Sequence, residues 1–211
     1  MRIAFNISSI NSCVLDVGCG VGSYLIALSK NGRKCYGIDP LREISLKPAL
    51  VRTHEENLNV AFCLSVAEFL PFKSNIFDIV LCISTLQHVA NQHITIREIK
   101  RVLKNDGLAL ISVPISNVIK KIFSHRNVPH YYTMEFNVKR LRELLANHGF
   151  QILYIDGLGF LMPLMNRALY IVYHLLGEKT VQKIIEFFNI FARIWLSTAS
   201  SLIVLCKKAE D

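Results

Sequence analysis

Two features carry chemistry in their residue types and spacing. Asp16-Val17-Gly18-Cys19-Gly20-Val21-Gly22 sets three glycines two apart, just behind an acid and a short apolar run, Cys13–Val17. Glycine reaches backbone conformations that other residues avoid and leaves no Cβ in the way. Such a junction permits a tight turn, close approach of a ligand and close packing of the next helix. The backbone N–H groups at the helix start are then expected to face that ligand. Asp39 stands seventeen residues after Gly22, where the next apolar run ends in Gly37-Ile38-Asp39-Pro40. A carboxylate there accepts two hydrogen bonds from the hydroxyls of a ribose. The pair points to a nucleoside ligand, and the GxGxG spacing, in place of GxGxxG, disfavours a nicotinamide dinucleotide.

No metal is expected. His54, His88, His93, His125, His130, His148 and His174 and the six cysteines form no pair at zinc-like spacing except His88 with His93, and there is no CxxC. The cysteines mostly lie inside apolar runs, where a thiol acts as a small hydrophobe, and this predicts a reduced, cytoplasmic chain.

The elements that must position these residues follow from the apolar runs. Cys13–Val17, Cys35–Ile38, Val60–Leu64, Ile79–Ile83 and Leu108–Val113 alternate with helix-like segments, and Gln151–Ile155 and Leu202–Cys206 read as strands six and seven. Strands alternating with helices imply a doubly wound α/β fold with a seven-stranded, mostly parallel sheet buried on both faces. A helix is expected from Ser23 to a stop at Gly32. Another is expected over Met134–His148, capped by Thr133 and stopped by Gly149. Residues 157–200 read as a helical insertion between strands six and seven, with helices near Pro163–Leu176 and Thr180–Leu196. No repeat or linker divides the chain, so residues 1–211 read as a single domain.

Composition agrees. Among 211 residues, 52% are hydrophobic and 19% charged, with a net charge of +8, which excludes a disordered or low-complexity chain. The longest stretch free of formal charge, Ile79–Ile96, contains Gln87, His88, Asn91, Gln92 and His93. No transmembrane helix is expected, nor a signal peptide.

Val14-Leu15-Asp16-Val17-Gly18-Cys19-Gly20-Val21-Gly22 resembles motif I of class I S-adenosylmethionine-dependent methyltransferases. Ala67-Glu68-Phe69-Leu70-Pro71-Phe72, Phe77-Asp78-Ile79-Val80, Leu86-Gln87-His88-Val89 and Glu98 to Gly107 resemble the later blocks of that superfamily, in order. The likeness spans about residues 13 to 155 and looks most like the branch with quinone-biosynthesis methyltransferases. It implies S-adenosylmethionine as cofactor and S-adenosylhomocysteine as product. The resemblance implies that Gly18, Cys19 and Gly20 admit the methionine portion and that Asp16 helps hold its ammonium group. It assigns the ribose to Asp39 and the adenine flank to Pro40. The Asp that usually precedes the Ala-Glu pair is Val66 here, which leaves adenine readout to Ala67 and Glu68. Cys82 and Ile83 would border the methionine end through their main chains.

Methyl transfer is an in-line displacement that needs a base only if the acceptor must lose a proton. His88, just beyond strand four, is one candidate base, or else a cap for the next helix. His130, with Tyr131 and Tyr132, is a second candidate at the acceptor pocket. The insertion is more apolar than a narrow buried stripe requires, from Phe160 to Trp195. It reads as a lid over a small, apolar or lipid-like acceptor, a peripheral membrane contact or a homodimer interface. RNA is the alternative acceptor, since the sequence pI is about 9.3 and the motifs also resemble tRNA wobble-uridine methyltransferases. The cluster Arg97-Lys100-Arg101-Lys104, however, falls at helical spacing, as on a solvated face. A non-catalytic, cofactor-binding partner protein is the third reading.

Overall fold

Runs of β-branched and apolar residues that fill both faces of an extended chain form buried strands, and each run named above does so. In the computed structural model, which describes residues 4, 9–115, 136–158 and 201–209, the strands are β1 (Cys13–Val17), β2 (Lys34–Asp39), β3 (Val60–Leu64), β4 (Phe77–Ile83), β5 (Leu103–Pro114), β6 (Phe150–Leu158) and β7 (Ser201–Lys208). They make one sheet in the order β3-β2-β1-β4-β5-β7-β6. The first five pair in parallel, and β7 runs antiparallel between β5 and β6. The helices are α1 (Ser23–Ser29), α2 (Lys47–Glu55), entered through a π-helical turn at Arg42–Leu46, α3 (Gln92–Val102) and α4 (Val138–Asn147).

Alternation along the strands sorts the core into two layers. Leu15, Val17, Val80 and Cys82 pack with Ile96 and Ile99 of α3 and Leu141 and Leu145 of α4. Val14, Ile79 and Leu81 point the other way and pack with Leu25 and Leu28 of α1. Each fully buried Leu or Ile contributes about 1.5–3 kcal/mol, so both faces hold the sheet flat beneath the loops at its end. Asp16 falls on the parity of Val14, which makes it an acid in an otherwise apolar row.

Three local expectations are corrected. The fifth strand, expected over Leu108–Val113, already begins at Leu103, and Asn105-Asp106-Gly107 bulges within it, since Phe77 pairs with Leu103 while Ile79 already pairs with Leu108. The last helix begins at Val138, and its cap is Asn137, whose side chain accepts the Arg140 N–H at 2.8 Å; Thr133 lies outside the described residues. Gly157 and Leu158, expected to open the insertion, are still paired in β6. Gly32 and Gly149 do follow their helices with φ of +80° and +69°. The expected helices over 163–176 and 180–196, and His130, Tyr131 and Tyr132, lie outside the described residues.

The register places the remaining connections. Ser112 of β5 lies beside Ile83, and Pro114 pairs with Ser201, which itself pairs with Leu158. Ile115 bridges to Phe136. Segments 116–135 and 159–200 therefore both leave and rejoin the sheet at the carboxyl end of its parallel strands. That is also the end where β1 gives way to Gly18 and β2 ends in Asp39. Among the described residues no helix is long and apolar enough to cross a membrane.

Candidate cofactor site

The glycine-rich turn is locked to the neighbouring strand. The N–H groups of Gly18 and Cys19 both donate to the Ile38 carbonyl, at 2.8 and 2.9 Å, and the Gly22 N–H donates to the Cys19 carbonyl at 2.9 Å. The Gly20 N–H donates to Asp39 Oδ2 at 3.0 Å. Four donors of the turn itself, those of Gly18, Cys19, Gly20 and Gly22, are thus spent inside the protein, while α1 opens at Ser23 with no side-chain cap on its first N–H groups. Glycine is needed at 18 for two reasons, a φ of +73° and a would-be Cβ that collides with the Thr85 side chain. At Gly20, φ is +53° and a Cβ would enter open space, which is the room a ligand requires beside the turn.

The two acids have different environments. Asp39 is buried and has both oxygens engaged, Oδ2 by Gly20 and Oδ1 by the Leu41 N–H at 2.9 Å. Each carboxylate oxygen still has a lone pair to offer a hydroxyl. Asp16 is 1% exposed, and its Oδ2 has no hydrogen-bond partner. Burial, and after it the negative charge of Asp39, raises its pKa from the ordinary 3.8 to about 7. The same acids act on the thiols nearby. Burial and then Asp16 push Cys82 up to about 12, and burial followed by Asp16 and Asp39 raises Cys19. Neither thiol is a nucleophile at neutral pH.

A cavity of about 450 Å³ opens beside this turn. Gly18, Ile38 and Asp39 line it from the first two strands, and Pro40 and Leu41 continue that wall. Val66, Ala67 and Glu68 follow β3, while Ser84, Thr85, His88, Val89 and Ala90 follow β4. The structure therefore brings Gly18, Asp39, Pro40, Ala67, Glu68 and His88 to one cavity. Asp16, Cys19, Gly20, Cys82 and Ile83 are not part of its wall. His88 is exposed and does not cap α3; that cap is Asn91, whose side chain accepts the Ile94 N–H at 3.1 Å. Ser84 holds a φ of +54°, a strained turn of the kind that collects at functional sites.

Two braces that sequence reasoning missed hold the wall after β3. Glu68 Oε1 accepts the Asn91 N–H at 2.9 Å and ties the wall to the start of α3. Arg101, on α3, donates to the Phe72 carbonyl at 2.7 Å and the Leu70 carbonyl at 3.0 Å, and grips Glu98 through Nε at 2.6 Å and Nη2 at 2.7 Å. Glu98 in turn accepts the Leu70 N–H at 3.0 Å. Fork-shaped guanidinium pairing of this kind is strong and directional. Arg101 is no member of a solvated face, and Lys104 from the same cluster pairs with Asp78 at 2.6 Å.

The residues present fit S-adenosylmethionine. The buried Asp16 behind the turn would favour its positive charge, Asp39 on the cavity wall would take its ribose, and the open space beside Gly20 would leave room for its methionine chain. They fit a pyrophosphate poorly, because two buried acids stand behind the turn and four of its own donors are spent.

Comparison with known proteins agrees. The family model described as "Methyltransferase domain" matches residues 15–111. The chain is similar to the uncharacterized methyltransferase YcgJ of Bacillus subtilis (strain 168), 32% identical over 117 residues that cover 54% of this chain and 46% of that protein. It is 35% identical over 106 residues to a ubiquinone biosynthesis O-methyltransferase of Glaesserella parasuis serovar 5 (strain SH0165), covering 47% and 44%. The chain thus spans about half the length of these curated relatives. Among solved structures, YcgJ matches with a TM-score of 0.69 at 20% identity, over 100% of this chain and 97% of that one. The 4+2 cyclase SpnF matches with a TM-score of 0.72 at 19% identity, over 100% and 80%. These likenesses concern the fold, and a cyclase on it shows that the fold does not by itself choose the reaction. The motifs in order, the domain match and the acid-backed glycine turn agree: residues 15–111 match the methyltransferase domain family, and over that region the chain is similar to S-adenosylmethionine-dependent methyltransferases.

Proposed function

We propose that the protein transfers a methyl group from S-adenosylmethionine to a small, apolar acceptor at the carboxyl end of the parallel strands. One observation supports this most: two buried acids, Asp16 with Oδ2 unpartnered and Asp39, stand behind the glycine turn, an arrangement that favours a cationic ligand. When bound, the cofactor supplies an electrophilic methyl group. The chain's part is to orient it and keep water out. Asp39 stiffens the turn through Gly20 and Leu41 and offers its remaining lone pairs to the ribose. Glu68 and Arg101 keep the opposite wall in place. For an acceptor that must lose a proton, His88 on the cavity wall is the base we assign, with His130 as the second candidate.

The quinone-pathway relative supports an apolar acceptor. The register supports residues 157–200 as its cover, because Leu158 and Ser201, which flank most of that segment, lie at the same carboxyl end of the sheet as the site. We extend the reading to a peripheral membrane contact or a homodimer through the same residues. Six unpaired thiols support a reducing, cytoplasmic setting.

The deciding experiment supplies methyl-labelled cofactor with fractionated cell extract. Label in the organic-soluble fraction is expected. Label in RNA would move the acceptor to tRNA, and bound cofactor with no transfer to any fraction would leave a non-catalytic partner protein. Co-sedimentation with liposomes and with tRNA at two salt concentrations is the companion measurement, since RNA binding falls steeply with salt.

A further inference from the structure

The polar groups of the cavity are concentrated near Gly18, Asp39, Ser84, Thr85 and His88, and the rest of its wall is hydrocarbon: Leu41, Val66, Ala67, Val89 and Ala90. Among the described residues Glu68 is the only carboxylate there besides Asp39; its Oε1 accepts the Asn91 N–H, and the rim itself carries no carboxylate. Leu41 and Val66 are 50% and 42% exposed, which sets them at the rim where the cavity meets water. With Asp39 taken for the ribose, the neighbouring hydrocarbon is what remains for the nucleobase.

We propose that this site holds the base of its cofactor mainly by apolar contact and shape, with hydrocarbon in place of a carboxylate at the rim formed by Leu41 and Val66. On that account it accepts cofactors bearing an apolar substituent on that nitrogen, which would pass between Leu41 and Val66. The inference rests on the cofactor reading above. A site built to hydrogen-bond an N–H rejects a ligand that lacks or masks it, because a buried acceptor is left unpaired. A hydrocarbon wall has no such penalty to impose, and an open apolar rim gains contact from an added apolar group.

The test is calorimetric titration of the whole chain with S-adenosylhomocysteine and with its N6-benzyl derivative. Affinities within fivefold of each other are expected, or a tighter benzyl derivative. A loss of fivefold or more overturns the inference while leaving the cofactor reading standing; absence of S-adenosylhomocysteine binding overturns the cofactor reading itself. Val66→Asp places a charge at the rim and is expected to weaken the benzyl derivative at least fivefold relative to S-adenosylhomocysteine. An unchanged ratio in Val66→Asp takes Val66 away from the base and sinks the proposal. Leu41→Asp supplies the same comparison if the first variant does not fold.

Discussion

Replacing Asp16 by Asn removes a charge the fold buries without a partner, and the consequence depends on pH in a calculable way. In the folded protein the carboxyl titrates near 7, against 3.8 ordinarily. A raised folded pKa means that the folded state holds a proton the unfolded state has released. Stability is therefore full below pH 4 and declines as pH rises toward and through 7. At 1.36 kcal/mol per pH unit the whole interval is worth about 4 kcal/mol, of which about 3 kcal/mol falls between pH 5 and pH 8. The variant carries no such penalty. Denaturant titrations of both proteins at half-unit steps from pH 5 to pH 8 should show the stability difference, variant minus wild type, rising by about 3 kcal/mol and levelling off above pH 7. A ligand ammonium prefers the ionised acid, so wild-type affinity for S-adenosylhomocysteine should rise about tenfold from pH 6 to pH 8, and Asp16→Asn should abolish that rise. A stability difference that stays flat across the range would refute the reasoning, since it would mean that Asp16 is ionised and compensated in the folded chain.

Other perturbations read other parts of the site. Asp39→Ala orphans the Gly20 and Leu41 N–H groups as well as the ribose hydroxyls; calorimetry should show a loss of about 1–3 kcal/mol in S-adenosylhomocysteine binding, and melting curves a fall in stability of similar size. Gly18→Ala meets both an unfavourable φ and the Thr85 side chain, and should cost about 2–3 kcal/mol in denaturant titration. Adding Thr85→Ala should recover only the steric share. Arg101→Ala frees two carbonyls and leaves Glu98 without its partner, for an expected loss of about 1–3 kcal/mol in stability together with weaker cofactor binding. His88→Ala should leave S-adenosylhomocysteine affinity unchanged and, for a hydroxyl acceptor, lower kcat about 10²–10⁴-fold in the labelled-methyl assay.

What the chain betrays in its order of residues is what depends on neighbours in sequence. β1 and β3 span the predicted Cys13–Val17 and Val60–Leu64, because a buried parallel strand needs only a continuous apolar run between turns. The start of β5 was not legible: Lys104-Asn105-Asp106-Gly107 has the composition of a turn, and only pairing with β4 turns it into a bulge. Asn137 and Thr133 are both good caps, and what selects Asn137 is Phe136, which is buried and bridged to Ile115, a contact twenty-one residues away. Arg101 shows the limit most plainly. Its helical spacing with Arg97 and Lys104 matches a solvated face, yet its guanidinium is spent on carbonyls about thirty residues earlier. Periodicity reports which face a residue occupies, and says nothing of what folds against that face.

The glycine turn carries the same lesson into chemistry. Three glycines behind a strand suit either a phosphate or a cationic amino acid chain, and local sequence does not choose between them. The choice is made by where the N–H groups go. Donors left free at a helix start would create a positive site for an anion. Here two donors of the turn before the helix close on the Ile38 carbonyl of β2 and a third on Asp39, so these three contribute no positive field to a ligand. The field at the turn is then set largely by two carboxylates, one of them raised toward neutral pH by its burial and, after that, by the other. Such a pair is costly to bury without a ligand and least costly when a cation arrives. On the proposed reading, arrival of the cofactor's cation would relieve the cost of holding Asp16, and that coupling of folding to cofactor charge would account for an acid in an otherwise apolar strand.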